Sequence, residues 1–205
     1  MRTRLPVGTL ALFLLWLVVV GVVALLMSSP QPRSDGGYAP SPIIDGAPLG
    51  SFELQDHRGR DFTRADMEGR WSFVFFGHTR CRDDCPAALT ELTYMMRDLP
   101  APSRRAAQLI FVTVDPAHDT PEVLATYLAF FSRAFIGLTG PPPALAAFAR
   151  PFGVATGDPA ADPGAVFLVE PGATVVASFP PPHHREELAA LYGELRAGTT
   201  APSGG

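Results

Sequence analysis

The run Trp71–Phe76 constrains the fold more than any other part of this sequence. Its residues, WSFVFF, are almost continuously apolar, which is typical of a β-strand that is buried on both faces. Leu109–Val114 shows the same pattern and predicts a second buried strand. Because helical patterns alternate with these strands, the sequence predicts an α/β domain.

The remaining elements of the domain follow from helix-start signals and shorter strand patterns. A polar loop over Gly77–Cys85 leads into a helix that has Pro86 in its first turn, and Thr120 and Pro121 are the residue types of a helix cap and a first helical position. The turn Glu170–Ala173 predicts a type II geometry in which the glycine takes the positive φ. The predicted elements are a strand at 52–54, a strand at 71–76, a helix at 86–99, a strand at 109–114, a helix at 120–131, a short helix at 144–149, a hairpin of strands at 165–169 and 174–179, and a helix at 185–196. This order predicts a thioredoxin-like fold.

The N-terminal residues predict a membrane anchor. Leu5–Met27 is a run of about 23 residues without charge, long enough at about 1.5 Å per residue to cross a hydrocarbon core of roughly 30 Å. Arg2 and Arg4 precede the run, and the positive-inside rule keeps them in the cytoplasm. The residues after the run make a poor cleavage site, so an uncleaved, single-pass anchor is favoured over a cleaved signal. The rest of the chain is then expected on the extracytoplasmic (periplasmic or outer) side of the cell membrane.

The composition divides the chain into four parts and excludes some functions. We expect the anchor at 1–27, a flexible linker rich in proline, glycine and serine at 28–42, the thioredoxin-like domain at 43–198 and a disordered tail at 199–205. The formal charge is −4, from 16 basic and 20 acidic residues, so no basic surplus favours nucleic acid. All the basic residues are arginine, which excludes Schiff-base chemistry through a lysine amine.

The cysteines Cys81 and Cys85 are the main candidates for catalysis and for metal binding. They lie between the end of a buried strand and the start of a helix, where the helix N-terminus favours the thiolate, the form that attacks electrophiles and binds metals. A disulfide between them closes a loop of about five residues and stabilises a fold by only about 2 kcal/mol, against nearly 5 kcal/mol for a loop of 100 residues. Two cysteines also fall short of the four ligands of a structural zinc site. The pair therefore predicts redox or soft-metal chemistry.

Several ordered segments resemble the Sco/SenC family. They are FGHTRCRDDCP around the cysteines, FVTVDPAHDTPEVLATY over the second buried strand and the next helix, and the later segments FIGLTG and FLVEPGATVVASF. The resemblance covers about residues 43–196. It implies a thioredoxin-like domain on an N-terminal anchor, copper binding through Cys81 and Cys85 with a distant histidine, and delivery of copper to the cytochrome c oxidase subunit that carries the dinuclear copper site. A thiol-disulfide reductase role is also ascribed to the family.

The sequence departs from that family at the histidine ligand, whose expected place is occupied by Asp162. No histidine lies between His118 and His183, so a small shift of the alignment does not supply one. Aspartate is a hard oxygen ligand and suits Cu(I) poorly, whereas two thiolates alone can hold Cu(I) in a near-linear arrangement. We therefore expect Cu(I) to be bound in preference to Cu(II).

The identity of a third ligand is left open by the sequence. The strand after Asp162 is predicted to run antiparallel to Trp71–Phe76, and the hairpin then returns the chain to the cysteine end of the sheet. The candidates are Asp162, His78, His183 and His184. For the three histidines, local packing or solvent exposure is the favoured interpretation. Asp115, which closes the second buried strand, is a candidate for orienting the cysteine loop.

Two functions agree with these residues. The favoured one is a copper-binding assembly factor, a metallochaperone rather than an enzyme. The alternative is a thiol-disulfide oxidoreductase that keeps the cysteines of a partner reduced without stable copper binding, and that itself depends on a thiol-reducing partner.

Overall fold

The computed structural model describes residues 16, 20, 41–42, 46–157 and 164–200. The chain divides into two units, Met1–Gly36 and Gly37–Gly205. In the first unit only the helical residues Trp16 and Val20 are described, so the predicted anchor at 5–27 lies almost entirely outside the described residues. Among the residues that are described, none of the helices combines the length and the apolar character needed to cross a bilayer.

The second unit is an α/β domain, as the sequence predicts. Its strands are β1 (Ser41–Pro42), β2 (Glu53–Asp56), β3 (Asp61–Thr63), β4 (Trp71–Gly77), β5 (Ala107–Thr113), β6 (Phe135–Thr139), β7 (Val166–Val169) and β8 (Val175–Phe179). Its helices are α1 (Asp84–Asp98), α2 (Ala101–Arg105), α3 (Pro121–Ala129), α4 (Pro142–Ala149) and α5 (Arg185–Thr200), with short 3-10 turns at Arg64–Asp66 and Arg150–Phe152.

The strands form one mixed sheet in the order β1-β8-β7-β4-β5-β6-β2-β3. β4 pairs in parallel with β5, and β5 pairs in parallel with β6, whereas the other neighbours are antiparallel. Every residue of β4 and of β5 is buried, which confirms that both strands are covered on both faces. The two strands therefore form the centre of the domain.

Alternate residues of β4 enter two hydrophobic cores on opposite faces of the sheet. Phe73 and Phe75 pack in the core that also receives apolar side chains from α1, α3 and α5. Val74 and Phe76 pack in the core covered by α4 and the 3-10 turn at Arg150–Phe152. Burying a phenylalanine or valine side chain stabilises a fold by roughly 1.5–3 kcal/mol, so these residues hold β4 firmly in place.

The direction of β7 confirms the predicted topology on the cysteine side of the sheet. β7 runs antiparallel to β4, with Val166 opposite Phe75. β8 returns antiparallel to β7 and pairs Phe179 with Val166. One edge of the sheet therefore holds the end of β4, the start of β7 and the end of β8. The segment that contains His183 begins at this edge.

The structure corrects the sequence-based prediction at four places. β6 was not predicted as a strand, because Gly137 interrupts a pattern of only five residues and glycine weakens the strand signal. β3 and α2 are too short to show a clear period of apolar residues.

The turn between β7 and β8 differs from the predicted type II turn. Its left-handed residue is Ala173, with φ 57°, so the predicted positive φ at Gly172 is wrong. The Glu170 N–H donates to the Thr174 carbonyl, which closes a longer loop than a two-residue turn and places Ala173 at its end.

Candidate functional site

The two cysteines lie where the chain passes from β4 into α1. The helix begins at Asp84, which confirms that Pro86 lies in its first turn and places Cys85 in the same turn. Cys81 is partly exposed and Cys85 is fully buried, and no disulfide joins them. The Cys85 N–H donates to the Cys81 Sγ over 3.2 Å. The Cys81 sulfur therefore accepts an amide from a helix N-terminus, an arrangement that favours negative charge on the sulfur.

Gly77 allows the Cys85 sulfur to lie against the end of β4. A Cβ atom at this position would lie 3.0 Å from the Cys85 Sγ, and 2.9 Å and 3.2 Å from ring atoms of Phe75 and Phe111. These distances are closer than a Cβ atom normally approaches its neighbours, so a larger residue would force the Phe75 ring to move and would press on the sulfur and on Phe111. The Cys85 sulfur therefore occupies a fixed place between β4, β5 and α1.

The loop that carries Cys81 is attached to the neighbouring β5–α3 loop through Asp119. This fully buried carboxylate accepts hydrogen bonds from the Thr79 N–H at 3.1 Å, from the Thr79 Oγ1 at 2.6 Å and from the Thr113 Oγ1 at 2.7 Å. Each bond is charge-assisted, and such bonds are roughly twice as strong as neutral ones. Asp119 thus holds Thr79, two residues before Cys81, against the end of β5.

Asp115 also contacts the cysteine loop, as the sequence suggests. It forms an ion pair with Arg80, the residue directly before Cys81. The Arg80 side chain is 56% exposed, so solvent weakens this pair and its contribution to stability is small. Sequence reasoning missed the larger role of Asp119. The only signal in the sequence was an acidic residue directly before the predicted helix cap. That cap is confirmed, because the Thr120 Oγ1 accepts a hydrogen bond from the Val123 N–H at the start of α3.

The three candidate histidines have different surroundings. The His183 Nε2 bonds to the Gly164 carbonyl at 2.7 Å, and its ring packs edge-on against Phe75 at 6.4 Å between centroids. Burial lowers the pKa of His183 below its usual value, so the imidazole is neutral near pH 7. His184 is exposed, and its carbonyl accepts the first backbone bonds of α5. His78 directly follows Gly77, and its Nδ1 is buried without a hydrogen-bond partner among the described residues.

The structure does not bring three metal-binding side chains together in the described part of the chain. Among those residues, no group of three or more His, Cys, Asp or Glu side chains is arranged to hold a metal ion. Asp162 lies outside the described residues, so its relation to the cysteines stays a prediction. Among the described candidates, the sulfurs of Cys81 and Cys85 are the soft donor atoms that the structure brings together, since the Cys85 N–H donates to the Cys81 Sγ.

Tyr127 is a further residue of the site that the sequence placed only on the apolar face of a helix. Burial raises the pKa of its phenol above the usual value, and negative charge on Cys85, Cys81 and Asp119 raises it further. The ring lines a groove of about 440 Å³ beside the cysteine loop, together with Thr79, Glu122, Val123, Thr126 and Phe130. Its hydroxyl is buried and has no hydrogen-bond partner within the described residues.

A family model described as SCO1/SenC matches residues 45–195, which is most of the chain. The chain belongs to the SCO1/SenC family. The match includes both cysteines and the Asp119 segment, so the site described above lies within the family's own domain.

Curated relatives of this SCO1/SenC chain include mitochondrial proteins. Protein SCO2 of Saccharomyces cerevisiae is 38% identical over 110 residues, which cover 54% of this chain and 36% of the yeast protein. The human SCO2 homolog is 44% identical over 92 residues, covering 44% of this chain and 35% of the human protein. The chain thus spans little more than a third of the length of these two relatives.

Solved structures of Sco proteins share the fold. Yeast Sco1 with copper bound superposes with a TM-score of 0.67 at 26% identity, covering 77% of this chain and 92% of that chain. Bradyrhizobium japonicum ScoI with copper bound gives a TM-score of 0.62 at 29% identity, covering 72% of this chain and 99% of that chain. These similarities confirm the predicted thioredoxin-like, Sco-type fold.

We predict that the substitution D119A destabilises this SCO1/SenC domain by about 3 kcal/mol, because it leaves the half-buried amide and hydroxyl of Thr79 and the buried hydroxyl of Thr113 without their acceptor. The cysteine loop should also loosen, so native-state alkylation of the buried Cys85 thiol should become faster. Urea unfolding measures the first effect, and mass spectrometry of alkylated peptides measures the second.

D98A is the matched control, because Asp98 is exposed and its side chain bonds only to the neighbouring Arg97 among the contacts of the described residues. It should leave both the unfolding midpoint and the alkylation of Cys85 unchanged. If D119A behaves like D98A in both measurements, Asp119 does not hold the loop.

Proposed function

We propose that this protein is a membrane-anchored, extracytoplasmic, copper-binding assembly factor of Sco type, which handles copper for the dinuclear copper site of a cytochrome c oxidase subunit. The observation that carries the proposal is the Cys81–Cys85 thiol pair, held at the N-terminus of α1 in a domain of the SCO1/SenC family. The copper-bound yeast Sco1 and B. japonicum ScoI, which share this fold, support copper as the cargo.

The arrangement of the two sulfurs suits the uptake and release of Cu(I). Thiolates are soft ligands that favour Cu(I), and a helix N-terminus favours the thiolate form. Cys81 is partly exposed and Cys85 is buried. Cys81 is therefore the sulfur that a partner's ligands would reach first, while Cys85 retains the ion until the exchange of ligands is complete.

The alternative, thiol-disulfide exchange, is favoured by the same difference in exposure. The Cys81 thiolate would attack one sulfur of a partner disulfide, form a mixed disulfide and release the other partner sulfur as a thiolate. The Cys85 thiolate would then attack the Cys81 sulfur and release the partner as a dithiol, leaving a Cys81–Cys85 disulfide. A thiol-reducing partner would have to restore the pair.

The first prediction of this function concerns topology. Alkaline phosphatase fused after Gly205 should be active in bacterial cells, because the anchor at 5–27 with Arg2 and Arg4 before it directs the domain out of the cytoplasm. The same fusion without residues 1–27 is the control and should be inactive. An inactive full-length fusion that accumulates to the same level would refute the orientation.

The second prediction concerns Cu(I). The fully reduced domain should bind one Cu(I) per chain under anaerobic conditions, and C81S or C85S should each abolish tight binding, because one thiolate alone cannot supply the two-coordinate site. Competition with a chromophoric Cu(I) chelator measures the affinity.

The triple substitution of His78, His183 and His184 by alanine is the matched test of the two-cysteine site. It should leave the Cu(I) affinity nearly unchanged, while thermal melting reports whether the fold survives the loss of the His183–Gly164 bond. Loss of Cu(I) by a folded triple variant would mean that a histidine serves as a ligand. If the reduced wild type binds no Cu(I) but reduces a partner disulfide, copper handling is refuted and the exchange reaction stands.

The third prediction concerns Cu(II). The wild type should bind Cu(II) weakly, and two Cu(II) ions should instead oxidise the two thiolates to a disulfide while both ions are reduced to Cu(I). D162H should tighten Cu(II) binding by at least about tenfold, because imidazole suits Cu(II), and groups that only hydrogen-bond to a ligand already change metal affinity by roughly 10- to 100-fold. Titration followed by electron paramagnetic resonance measures the bound Cu(II).

D158H is the matched control, because it makes the same change four residues earlier. It should give no increase in Cu(II) affinity. An equal increase in Cu(II) affinity in both variants would show that a histidine at position 162 does not complete a copper site with the cysteines.

A further inference from the structure

His57 lies away from the cysteine loop, at the place where β2 is joined to β6. It directly follows β2 and lies opposite Gly137 in the register that pairs the two strands. The His57 N–H donates to the Gly137 carbonyl over 2.8 Å, and the Gly137 N–H donates to the His57 Nδ1 over 3.0 Å. In a regular antiparallel ladder the second bond goes to a backbone carbonyl. The imidazole of His57 therefore takes the place of that carbonyl.

The attachment of β2 to β6 is short, so these two bonds form a large part of it. The regular pairing joins Gln55 to Thr139 and Asp56 to Leu138. β3 follows β2 at the edge of the sheet, where β2 is its neighbour. The β2–β3 hairpin, Glu53–Thr63, is thus joined to the neighbouring strand of the sheet along this one short line.

Asp56 fixes the backbone that positions the His57 ring. Its buried carboxylate accepts hydrogen bonds from the Arg58 N–H at 2.8 Å and from the Arg60 N–H at 3.0 Å, and it forms an ion pair with the Arg60 guanidinium at 2.6 Å. The turn after β2 is therefore held in one conformation. The ring nitrogen meets the Gly137 N–H without a further rearrangement of the chain.

The charged groups around the ring come from its own hairpin. They are Glu53, Asp56, Arg58, Arg60 and Asp61. β6 and α4 contain no charged residue, and α3 contributes Leu124 and Leu128 beside Gly137. The one charged residue of α3, Glu122, is exposed, and its carboxylate accepts a hydrogen bond from the Thr120 hydroxyl.

These surroundings favour the neutral form of the imidazole. Burial lowers the pKa of His57 below its usual value, and the positive charge of Arg58 lowers it further. The carboxylate of Asp56 opposes this shift without reversing it. An imidazole accepts through Nδ1 only while that nitrogen carries no proton, because both ring nitrogens are donors in the charged form. A protonated ring would therefore leave the Gly137 N–H facing another donor.

We propose that His57 is an acid-sensitive latch, which joins the β2–β3 hairpin to β6 while its ring is neutral and releases the Gly137 N–H when Nδ1 is protonated. The opened or unfolded chain then binds a proton that the closed form excludes. The stabilisation is therefore fully present above about pH 6.5 and is lost as the pH falls below that value. The latch is independent of copper handling, because it joins β2 to β6 and involves neither cysteine.

The substitution H57N tests the proposal, because the asparagine oxygen offers an acceptor close to the place of Nδ1 and does not titrate. Urea unfolding of the full chain in a mild non-ionic detergent gives the equilibrium constant of unfolding at about pH 7.5 and about pH 5. Relative to that of H57N, the wild-type constant should rise about tenfold between these two values. The limit is about 30-fold, which one histidine with an unfolded pKa of about 6.5 can supply at pH 5.

H118N is the matched control, because His118 is also followed by short polar residues in a loop but its side chain is exposed. Its unfolding constant should follow that of the wild type at both pH values. A ratio of wild-type to H57N constants that does not change with pH would overturn the proposal. Circular dichroism checks that each variant is folded.

Hydrogen exchange tests whether the acid effect occurs at the latch itself. In the wild type, the Gly137 amide should exchange about fivefold faster or more at about pH 5 than at about pH 7.5, after correction for the pH dependence of exchange in an unstructured chain. Mass spectrometry of a peptide that contains Phe135–Thr139 measures this rate. H57N should show no such increase, and H57L, which has no acceptor at any pH, should lose protection at both values. A wild-type Gly137 amide that stays equally protected at both pH values would overturn the latch, and this result needs no variant to fold.

Discussion

The burial of β4 on both faces is the constraint on which the rest of this structure depends. Phe73 and Phe75 enter one core and Val74 and Phe76 enter the other, so the strand cannot shift without disrupting both. A shift by one residue would exchange the two sets of side chains between the cores. The end of β4 at Gly77 is therefore a fixed point, and the cysteine loop starts from it. Because β5 runs parallel to β4, its own loop leaves from the same edge of the sheet.

The two halves of the site are held by different forces. Cys85 is fixed by packing, since its sulfur fills the space that Gly77 leaves beside Phe75 and Phe111. Cys81 lies on a loop whose position depends on hydrogen bonds from Thr79 to the buried carboxylate of Asp119. A rigid buried sulfur beside a more accessible one suits a protein that must both retain an ion or a disulfide and exchange it with a partner.

The histidines show how the surroundings of a residue decide what it can do. His183 reaches the cysteine edge of the sheet, as the topology predicts, but its Nε2 bonds to Gly164 and its ring packs on Phe75. His184, its neighbour in sequence, is exposed at the start of α5. Two adjacent histidines therefore have unlike environments, although they follow one another in the chain.

The sequence by itself determined the α/β class, the two central strands, the helix start at Thr120 and the place of Cys81 and Cys85 between a strand and a helix. These features depend on residues that are close in sequence, on the period of apolar residues and on local capping, so they can be read without the fold. Only the tertiary structure decided that β6 is a strand, because a five-residue segment with a glycine becomes one by pairing with β5 and β2. It alone placed Asp119 against Thr79, 40 residues earlier, and the ring of Tyr127 against Phe111. Contacts between distant residues arise from how the elements pack, and a single sequence carries no local pattern that records them.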